Sequence, residues 1–211
     1  MNIVLVGPPA SGKGTQAKMI AQKFDLVHIS TGDLLRNIVT QKSDLANQIK
    51  ALIDNGQMVS DGLITELLKQ HLNSIDHKNG ILLDGYPRTL AQAKTLNDFF
   101  KVDLVFEFTL SEQTLVNRVL DRYVCSKCGK SYIMSEHNSQ NCSECGAKLV
   151  QRADDTEQIA KSRYQDYIQK TFPILEFYRE LKGFHKLDAE KPIMEVFDEI
   201  CEIVKSNIWY I

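Results

Sequence analysis

A short apolar run, Ile3-Val4-Leu5-Val6, leads directly into the loop Gly7-Pro8-Pro9-Ala10-Ser11-Gly12-Lys13-Gly14-Thr15. Apolar residues at positions 17, 20, 21 and 24 follow the loop at helical spacing. In such a loop, glycines let backbone N–H groups converge on an anion, and the helix N-terminus adds its dipole. Lys13 supplies a cation near the terminal phosphates of a nucleotide. The strand, the loop and the helix together predict a binding site for a nucleoside triphosphate.

The alternation of apolar runs and helical spacing continues along the chain. Runs with strand character lie at residues 3–6, 26–29, 81–83, 104–108 and 184–187. Strands that are apolar throughout and alternate with helices are typical of a parallel sheet covered on both faces. The sequence therefore predicts an α/β fold like that of P-loop NTPases, with a parallel five-stranded sheet flanked by helices.

Two stretches interrupt the alternation. Residues 30–59 are helical and polar, whereas residues 122–160 are rich in Ser, Asn, Gly and Cys and poor in large apolar residues. We therefore predict a core domain of residues 1–29, 60–121 and 161–211, with inserts at 30–59 and 122–160. The second insert is expected to have no core of its own, so something other than burial must hold it together.

The composition excludes several classes of protein. The 211 residues carry 25 basic and 27 acidic side chains, a net charge of −2, with 43% hydrophobic residues. This balance argues against a general nucleic-acid or membrane-surface binder, which presents a basic surface. No apolar run approaches the roughly 20 residues that cross a bilayer. The first residues lack the pattern of a signal peptide, so we expect a cytoplasmic protein.

Two further motifs combine an arginine with structural signals for phosphate binding. Ser30-Thr31-Gly32-Asp33-Leu34-Leu35-Arg36 caps and opens a helix, which leaves free N–H groups near Arg36. Leu82-Leu83-Asp84-Gly85-Tyr86-Pro87-Arg88 ends a buried strand in a carboxylate, at the strand end where parallel sheets bind ligands. There Asp84 is expected to hold Mg²⁺ through water, and the turn directs Arg88 at a phosphate. Taken alone, an ordinary capped helix and a helix-capping aspartate also explain the two motifs.

Four of the five cysteines form two Cys-x-x-Cys pairs, Cys125/Cys128 and Cys142/Cys145, each followed by a glycine. Two such pairs bring four thiolates to one tetrahedral Zn²⁺ and leave no open position for catalysis. The sequence predicts a structural zinc site, which also explains how the second insert stays folded. His137 lies between the pairs and is expected at the surface. Four free thiols without a metal are the alternative.

In this order, the motifs resemble those of the nucleoside monophosphate kinases. The loop at 7–15, the Ser-Thr-Gly-Asp motif at 30–33 and the Asp-Gly-Tyr-Pro-Arg-Thr motif at 84–89 stand in register. Within that family the chain is most similar to the bacterial adenylate kinases with a long, zinc-binding lid. The resemblance implies the reaction ATP + AMP ⇌ 2 ADP with Mg²⁺, a role in adenine nucleotide balance and action as a monomer. It also implies that residues 30–59 bind the nucleoside monophosphate (NMP) and that residues 122–160 form a lid.

The resemblance also implies roles for individual residues. On the ATP side it implies Ala10, Ser11, Gly12, Lys13, Gly14, Thr15, Arg118, Arg122, Ser131, Tyr132 and Lys191. On the AMP side it implies Thr31, Arg36, Gln57, Met58, Val59, Gly85, Arg88, Gln92, Arg152 and Arg163. The catalytic charges that it implies are Lys13, Asp84, Arg88, Arg122, Arg152 and Arg163. Arg118 would stack on the ATP base, and the backbone of Lys191 would contact it.

Three positions in these segments carry further expectations. Arg118 and Arg122 are four residues apart at the end of a predicted helix, so both are expected on one helix face. Tyr123 stands where many relatives have a second arginine, and Ala10-Ser11 replaces a common Gly-Ala pair. Neither departure removes one of the charged groups.

The chemistry implied by the resemblance needs no general base, because the acceptor is already a phosphate oxyanion. In agreement, none of the five histidines, at positions 28, 71, 77, 137 and 185, lies in a motif. Catalysis would depend on positioning and on neutralising the charge of the transferring phosphoryl group.

Other functions remain open at this stage. A kinase that acts on UMP, CMP or GMP uses the same phosphate motifs, and only the resemblance, through the long lid and Gln92, favours AMP. A P-loop switch and a zinc-ribbon nucleic-acid module belong to different classes. A switch has no need of a second phosphate site at Arg36 and Arg88. The cysteine segment has only Lys127 and Lys130 as cations, too few for a nucleic-acid surface.

Overall fold

The computed structural model describes residues 1–208. Within that range the β-strands are β1 (Ile3–Val6), β2 (Val27–Ser30), β3 (Ile81–Asp84), β4 (Leu104–Thr109), β5 (Arg122–Cys125), β6 (Ser131–Ile133), β7 (Leu149–Val150) and β8 (Phe184–Asp188). The α-helices there are α1 (Lys13–Phe24), α2 (Thr31–Val39), α3 (Asp44–Asp54), α4 (Asp61–Asn73), α5 (Leu90–Phe99), α6 (Glu112–Leu120), α7 (Glu157–Asp166), α8 (Phe172–Tyr178) and α9 (Ile193–Ile208). The predicted core domain runs to residue 211, so its end, 209–211, lies outside the described residues.

The central sheet is built from the predicted apolar runs. Within residues 1–208 its five strands are parallel and lie in the order β2-β3-β1-β4-β8. In β1, Val4 and Val6 belong to an apolar cluster on one face, while Ile3 and Leu5 belong to a second cluster. Because side chains alternate across a strand, a sheet covered on both faces needs strands that are apolar throughout. The predicted α/β fold with a parallel five-stranded sheet is confirmed.

Parallel strands carry their C-terminal ends to one edge of the sheet. The phosphate loop follows β1 at this edge, and Asp84 ends the neighbouring strand β3. Asp188 ends β8 at the same edge. Side chains that are far apart in sequence therefore meet at the place where open α/β sheets bind their ligands.

The first insert is helical, as predicted. Residues 31–59 of the described chain contain α2 and α3 and no strand. Ser30 caps α2 by accepting a hydrogen bond from the Asp33 N–H at 3.3 Å, and Ser43 caps α3 by accepting one from the Ala46 N–H at 3.1 Å. Such caps satisfy backbone donors that the first helical turn leaves free.

The second insert contains a small antiparallel sheet in the order β6-β5-β7. Its buried side chains are Cys125, Tyr132, Cys142 and Leu149. The expectation that this insert has no core is therefore wrong, although the cluster is small and half of it is cysteine. Strands of two to four residues are too short to leave a readable period in the sequence.

The expected pairing of two arginines on one helix face is also wrong. Helix α6 ends at Leu120, and Arg122 is the first residue of β5, opposite Ile133 of β6. The residues that would have continued the helix instead form strand β5, which pairs with β6. Helix boundaries of this kind depend on a partner strand that sequence spacing does not reveal.

A π-helical turn, Tyr167–Thr171, joins α7 to α8. The N–H of Phe172 donates to the carbonyl of Tyr167 five residues earlier, which is the hydrogen bond that defines a π-turn. Pro173 follows at once and has no N–H to donate to the preceding turn. The normal helical ladder is therefore interrupted at this point.

Among the helices formed by residues 1–208, none has the length and apolar character required to cross a lipid bilayer.

Candidate active site

The phosphate loop depends on left-handed and closely packed backbone. Gly12 caps α1 with φ 83°, and a Cβ at Gly7 would approach the Phe108 carbonyl oxygen to 2.7 Å. Ala10 also adopts a left-handed φ, 57°, although its Cβ makes that conformation cost about 1–2 kcal/mol. Ala10 is the position where the family pattern has glycine, so the departure seen in the sequence introduces local strain.

Lys13 lies inside its own loop. Its ammonium group donates to the carbonyls of Gly7 and Pro8, both at 2.7 Å, and to the hydroxyl of Ser11 at 3.1 Å. Burial lowers the pKa of Lys13 to about 8, although the nearby Asp84 carboxylate opposes the shift. A bound phosphate would stabilise the charged form of this ammonium group far better than neutral carbonyls do.

Asp84 ends β3 beside the phosphate loop. Burial alone would raise its pKa, but the His28 imidazole and the Lys13 ammonium lower the pKa of Asp84 below the usual range. The carboxylate is therefore ionised at neutral pH. His28 Nε2 lies 3.8 Å from Asp84 Oδ2, although no motif contains this histidine. Its position two residues before Ser30, on the strand next to β3, was the available signal.

The loop after β3 brings a hydroxyl and a guanidinium to one carbonyl. Thr31 Oγ1 and Arg88 Nε each donate to the carbonyl of Gly85 at 2.8 Å. Gly85 has φ 82°, and a Cβ there would lie 2.9 Å from both Thr31 Oγ1 and Arg88 Nη2. Glycine is thus required for these groups to converge. Burial, opposed by Asp84, lowers the pKa of Arg88, and the charges of Arg163 and Arg36 lower it further.

Gln92 is fully engaged in hydrogen bonds. Its Oε1 accepts from the Arg88 N–H at 2.7 Å, and its Nε2 donates to Asp61 at 2.7 Å. Asp61 also accepts from the Thr89 hydroxyl at 2.7 Å. Gln92 therefore connects the arginine loop to the start of α4. Asp61, which opens α4, was not singled out from the sequence.

The remaining arginines differ in how they are paired. Arg122 holds Asp155 through both carboxylate oxygens, with a 2.9 Å bond from Nε to Oδ2, and Arg163 donates to Asp154 at 2.6 Å. Within residues 1–208, Arg152 forms no ion pair. Burial and then the charge of Arg122 lower the pKa of Arg152 to about 10. An anion is the natural partner for this uncompensated charge.

Arg36 lies on α2, on the other side of this group. It donates to Asp33 at 2.6 Å and is more than a third exposed. The charge of Arg36 contributes to the lowered pKa values of both Arg88 and Arg152. Arg36, Arg88 and Arg152 all line the same cavity.

A more apolar wall lies near the start of α9. Arg118 donates to the carbonyl of Ala189 at 2.8 Å, two residues before Lys191. Ile193 and Met194 are about half exposed there, and Gln16 donates to the Ile193 carbonyl at 2.7 Å. Ile193 and Met194 were missed in the sequence because helix α9 reads as an ordinary amphipathic helix, and Gln16 because it follows the end of the loop motif on α1.

Most of these groups, though not Asp61, Thr89 or Asp155, line one cavity of about 1440 Å³. Every residue that the resemblance implies for ATP, AMP or catalysis contributes to its wall. Ligand pockets usually measure about 300–1,000 Å³, so this cavity has room for more than one nucleotide. The phosphate loop and the residues around Arg88 line the same space.

The four cysteines converge at the tip of the second insert. Their sulfur atoms all lie within 4.8 Å of one another, with Cys125–Cys145 at 3.4 Å and Cys128–Cys142 at 3.6 Å. A tetrahedral ion with metal–sulfur bonds of about 2.3 Å has sulfur–sulfur edges of about 3.8 Å, so the donor set fits zinc.

Tyr132 connects the cysteines to the cavity wall. Its hydroxyl lies 3.1 Å from the Cys142 sulfur and accepts a hydrogen bond from the Ser143 N–H. This contact lowers the pKa of Cys142 to about 6 and so favours the thiolate, the form that binds a metal. The hydroxyl points toward the cysteines, while the ring packs on His137 with centroids 4.3 Å apart. His137 is half-buried rather than fully at the surface.

The similarity to known proteins agrees with this geometry. A profile of the adenylate kinase family matches residues 5–183. The chain is 40% identical to the adenylate kinase of Fervidobacterium nodosum, over 97% of both chains. It is 39% identical to the adenylate kinase of Petrotoga mobilis over 98% of both chains, and 40% identical to that of Clostridium tetani over 97% and 98%. The similarity therefore includes both inserts.

Proposed function

The chain belongs to the adenylate kinase family of nucleotide phosphotransferases, and on this premise we propose that it transfers a phosphoryl group reversibly from Mg·ATP to AMP, giving two ADP. The observation that carries the proposal is the single cavity that both the phosphate loop around Lys13 and the Arg88 loop line. A donor at Lys13 and an acceptor at Arg88 then face each other in one space. A nucleotide switch has no use for the second site.

The cationic side chains perform the chemistry by positioning and charge neutralisation. Lys13 and the loop N–H groups hold the ATP phosphates, while Arg36 and Arg88 hold the AMP phosphate. Arg122, Arg152 and Arg163 neutralise the phosphoryl group in transfer. No general base is needed, because the attacking atom is an oxygen of an ionised phosphate.

Asp84 is the residue that would hold Mg²⁺, through water. Its carboxylate is ionised, ends a strand and lies beside the phosphate loop, which suits a hard cation that prefers oxygen ligands. The ion, when bound, neutralises charge on the ATP phosphates. His28 Nε2 lies 3.8 Å from the same carboxylate.

The inserts have separate tasks in this proposal. Residues 30–59, with Thr31 and Arg36, form the NMP-binding insert, and residues 122–160 form a lid that excludes water during transfer. Cys125, Cys128, Cys142 and Cys145 hold a structural Zn²⁺ in the lid. A metal site made of thiolates suits the reducing cytoplasm. In this proposal the enzyme acts as a monomer.

The direct test is ADP formation from Mg·ATP with AMP, UMP, CMP or GMP supplied separately. We expect stoichiometric ADP with AMP. Turnover with another monophosphate would keep the phosphate sites and overturn the choice of base. ATP binding without turnover on any monophosphate would contradict the second site and favour a switch.

Replacing Arg88 tests the acceptor site itself. Arg88→Ala removes a buried cation at the acceptor phosphate, so we expect kcat/KM for AMP to fall about 10²–10³-fold. Arg179→Ala, which removes an exposed arginine paired with Glu176 outside the cavity, is the control. Near-normal turnover of Arg88→Ala in the steady-state assay would refute the assignment.

A further inference from the structure

The main chain at Arg88 is held from two sides by side chains. Its N–H donates to Gln92 Oε1 at 2.7 Å, and its carbonyl accepts a hydrogen bond from the Thr171 hydroxyl at 2.9 Å. Gln92 is close in sequence, but Thr171 is 83 residues away. The second bond therefore ties the end of the π-helical turn to the loop that carries Arg88.

Thr171 lies on the buried side of the π-helical turn. Tyr167 and Thr171, at the two ends of the π-helical turn, are buried and line the cavity, whereas the three residues between them are exposed. Positions four apart lie on one face of this turn, as they do in an α-helix. A π-turn inside a helix is rare and is found mostly at functional sites.

The guanidinium of Arg88 needs such support. It lies close to Arg163 and Arg36, whose positive charges repel it and lower its pKa. Its side chain makes a single hydrogen bond, to the carbonyl of Gly85, among the described residues. A rotation of either peptide plane that flanks the Arg88 Cα would move the guanidinium away from an acceptor phosphate, by roughly an ångström for a small rotation. A shift of that size can cost a large part of the rate.

We propose that Thr171 is a positioning residue for Arg88: its hydroxyl holds the Arg88 carbonyl, as Gln92 holds the N–H, so that the guanidinium points at the acceptor phosphate. This inference rests on the proposed function, because it takes Arg88 as the group that binds the acceptor. Arg163 lies on α7, which runs directly into the same π-turn. The segment from α7 to α8 thus sets the spacing between two phosphate-binding arginines.

The test compares Thr171→Val, which removes the hydroxyl at nearly constant shape, with Thr171→Ser, which keeps it. At saturating ATP we expect Thr171→Val to raise the KM for AMP about three- to tenfold, with the KM for ATP unchanged. Thr171→Ser should restore most of the loss. Thr109→Val is the matched control, since the Thr109 hydroxyl donates to the Leu187 carbonyl at 3.0 Å on another strand.

A double-mutant cycle separates positioning from simple stability. In the Arg88→Ala background, Thr171→Val should change the KM for AMP less than twofold, because its target is already lost. An equal loss in both backgrounds, or a rise of both KM values together, would overturn the inference. If the wild type is active but the KM for AMP is unaltered in Thr171→Val, the inference about Thr171 is overturned while the proposed function stands. A wild type inactive with every monophosphate would refute the proposed function as well.

Discussion

The parallel sheet of the core and the antiparallel sheet of the lid are stabilised by different means. In the core, every residue of β1 is buried between two extensive apolar clusters. In the proposed lid, the buried cluster has four members, and two of them, Cys125 and Cys142, belong to the four-cysteine group that could hold a metal. Burial alone suffices for the core, whereas we propose that the lid needs a metal as a cross-link. The two regions should therefore respond to different perturbations.

A pair of leucine substitutions tests whether the core and the lid are stabilised separately, and it has the largest expected effect. Leu83→Ala opens a cavity in the core and should lower the free energy of unfolding by about 2–5 kcal/mol. Leu149→Ala removes the same atoms from the lid and should leave the core transition within about 0.5 kcal/mol. Calorimetry of the zinc-saturated variants, with amide exchange across residues 122–150, measures both. Equal destabilisation of the core by the two variants would break the comparison.

Tyr132 tests whether the lid depends on its metal. Tyr132→Phe removes the hydroxyl next to the Cys142 sulfur and should weaken zinc binding about 10–100-fold. Competition with a chromophoric chelator gives the affinity. Tyr123→Phe is the control, since Tyr123 lies opposite Tyr132 and packs against the same buried cluster, but its hydroxyl makes no hydrogen bond to a cysteine among the described residues. Equal zinc affinities for the two variants would show that the hydroxyl does not support the metal.

The pH dependence of the free energy of unfolding tests a buried charge of the core domain. The pKa of Lys13 is about 8 in the folded core, against 10.5 for an ordinary lysine. Between these values the unfolded chain holds a proton that the folded chain has lost, so the free energy of unfolding should rise with pH across that window. In urea unfolding of nucleotide-free protein at pH 7 to 10, the free energy of unfolding should rise with pH, and Lys13→Met should reduce this rise. Lys94→Met, an exposed lysine on α5, should leave it unchanged.

The smallest expected effect is at Ala10. Ala10→Gly relieves the left-handed backbone but gives the unfolded chain more freedom, so the net gain should be at most about 1 kcal/mol. Ala51→Gly, at an exposed position in α3, should instead destabilise the protein by about 1 kcal/mol. Thermal unfolding of the two variants measures the difference in sign. Destabilisation by both would mean that the loop carries no strain at Ala10.

Local patterns in the sequence were sufficient for much of the fold. The five predicted strands lie within one or two residues of their observed positions, and the phosphate loop lies between β1 and α1 as expected. Both depend on neighbouring residues: apolar runs bury themselves, and glycines followed by a lysine form an anion site wherever a strand precedes a helix. The cysteine spacing likewise brings four sulfurs together through two short turns.

The tertiary structure alone decided which distant groups became partners. Strand order placed His28 beside Asp84, and pairing with β6 drew Arg122 out of the helix and into β5. The Thr171 hydroxyl bonds to the Arg88 carbonyl from the end of a π-turn, and such a turn leaves no recognisable spacing in the sequence. Whether a charge is buried, paired or left free depends on chain segments that are far apart in sequence. Residue spacing predicts only contacts within about one helical turn or one strand. These long-range contacts are therefore determined by the packing of the elements.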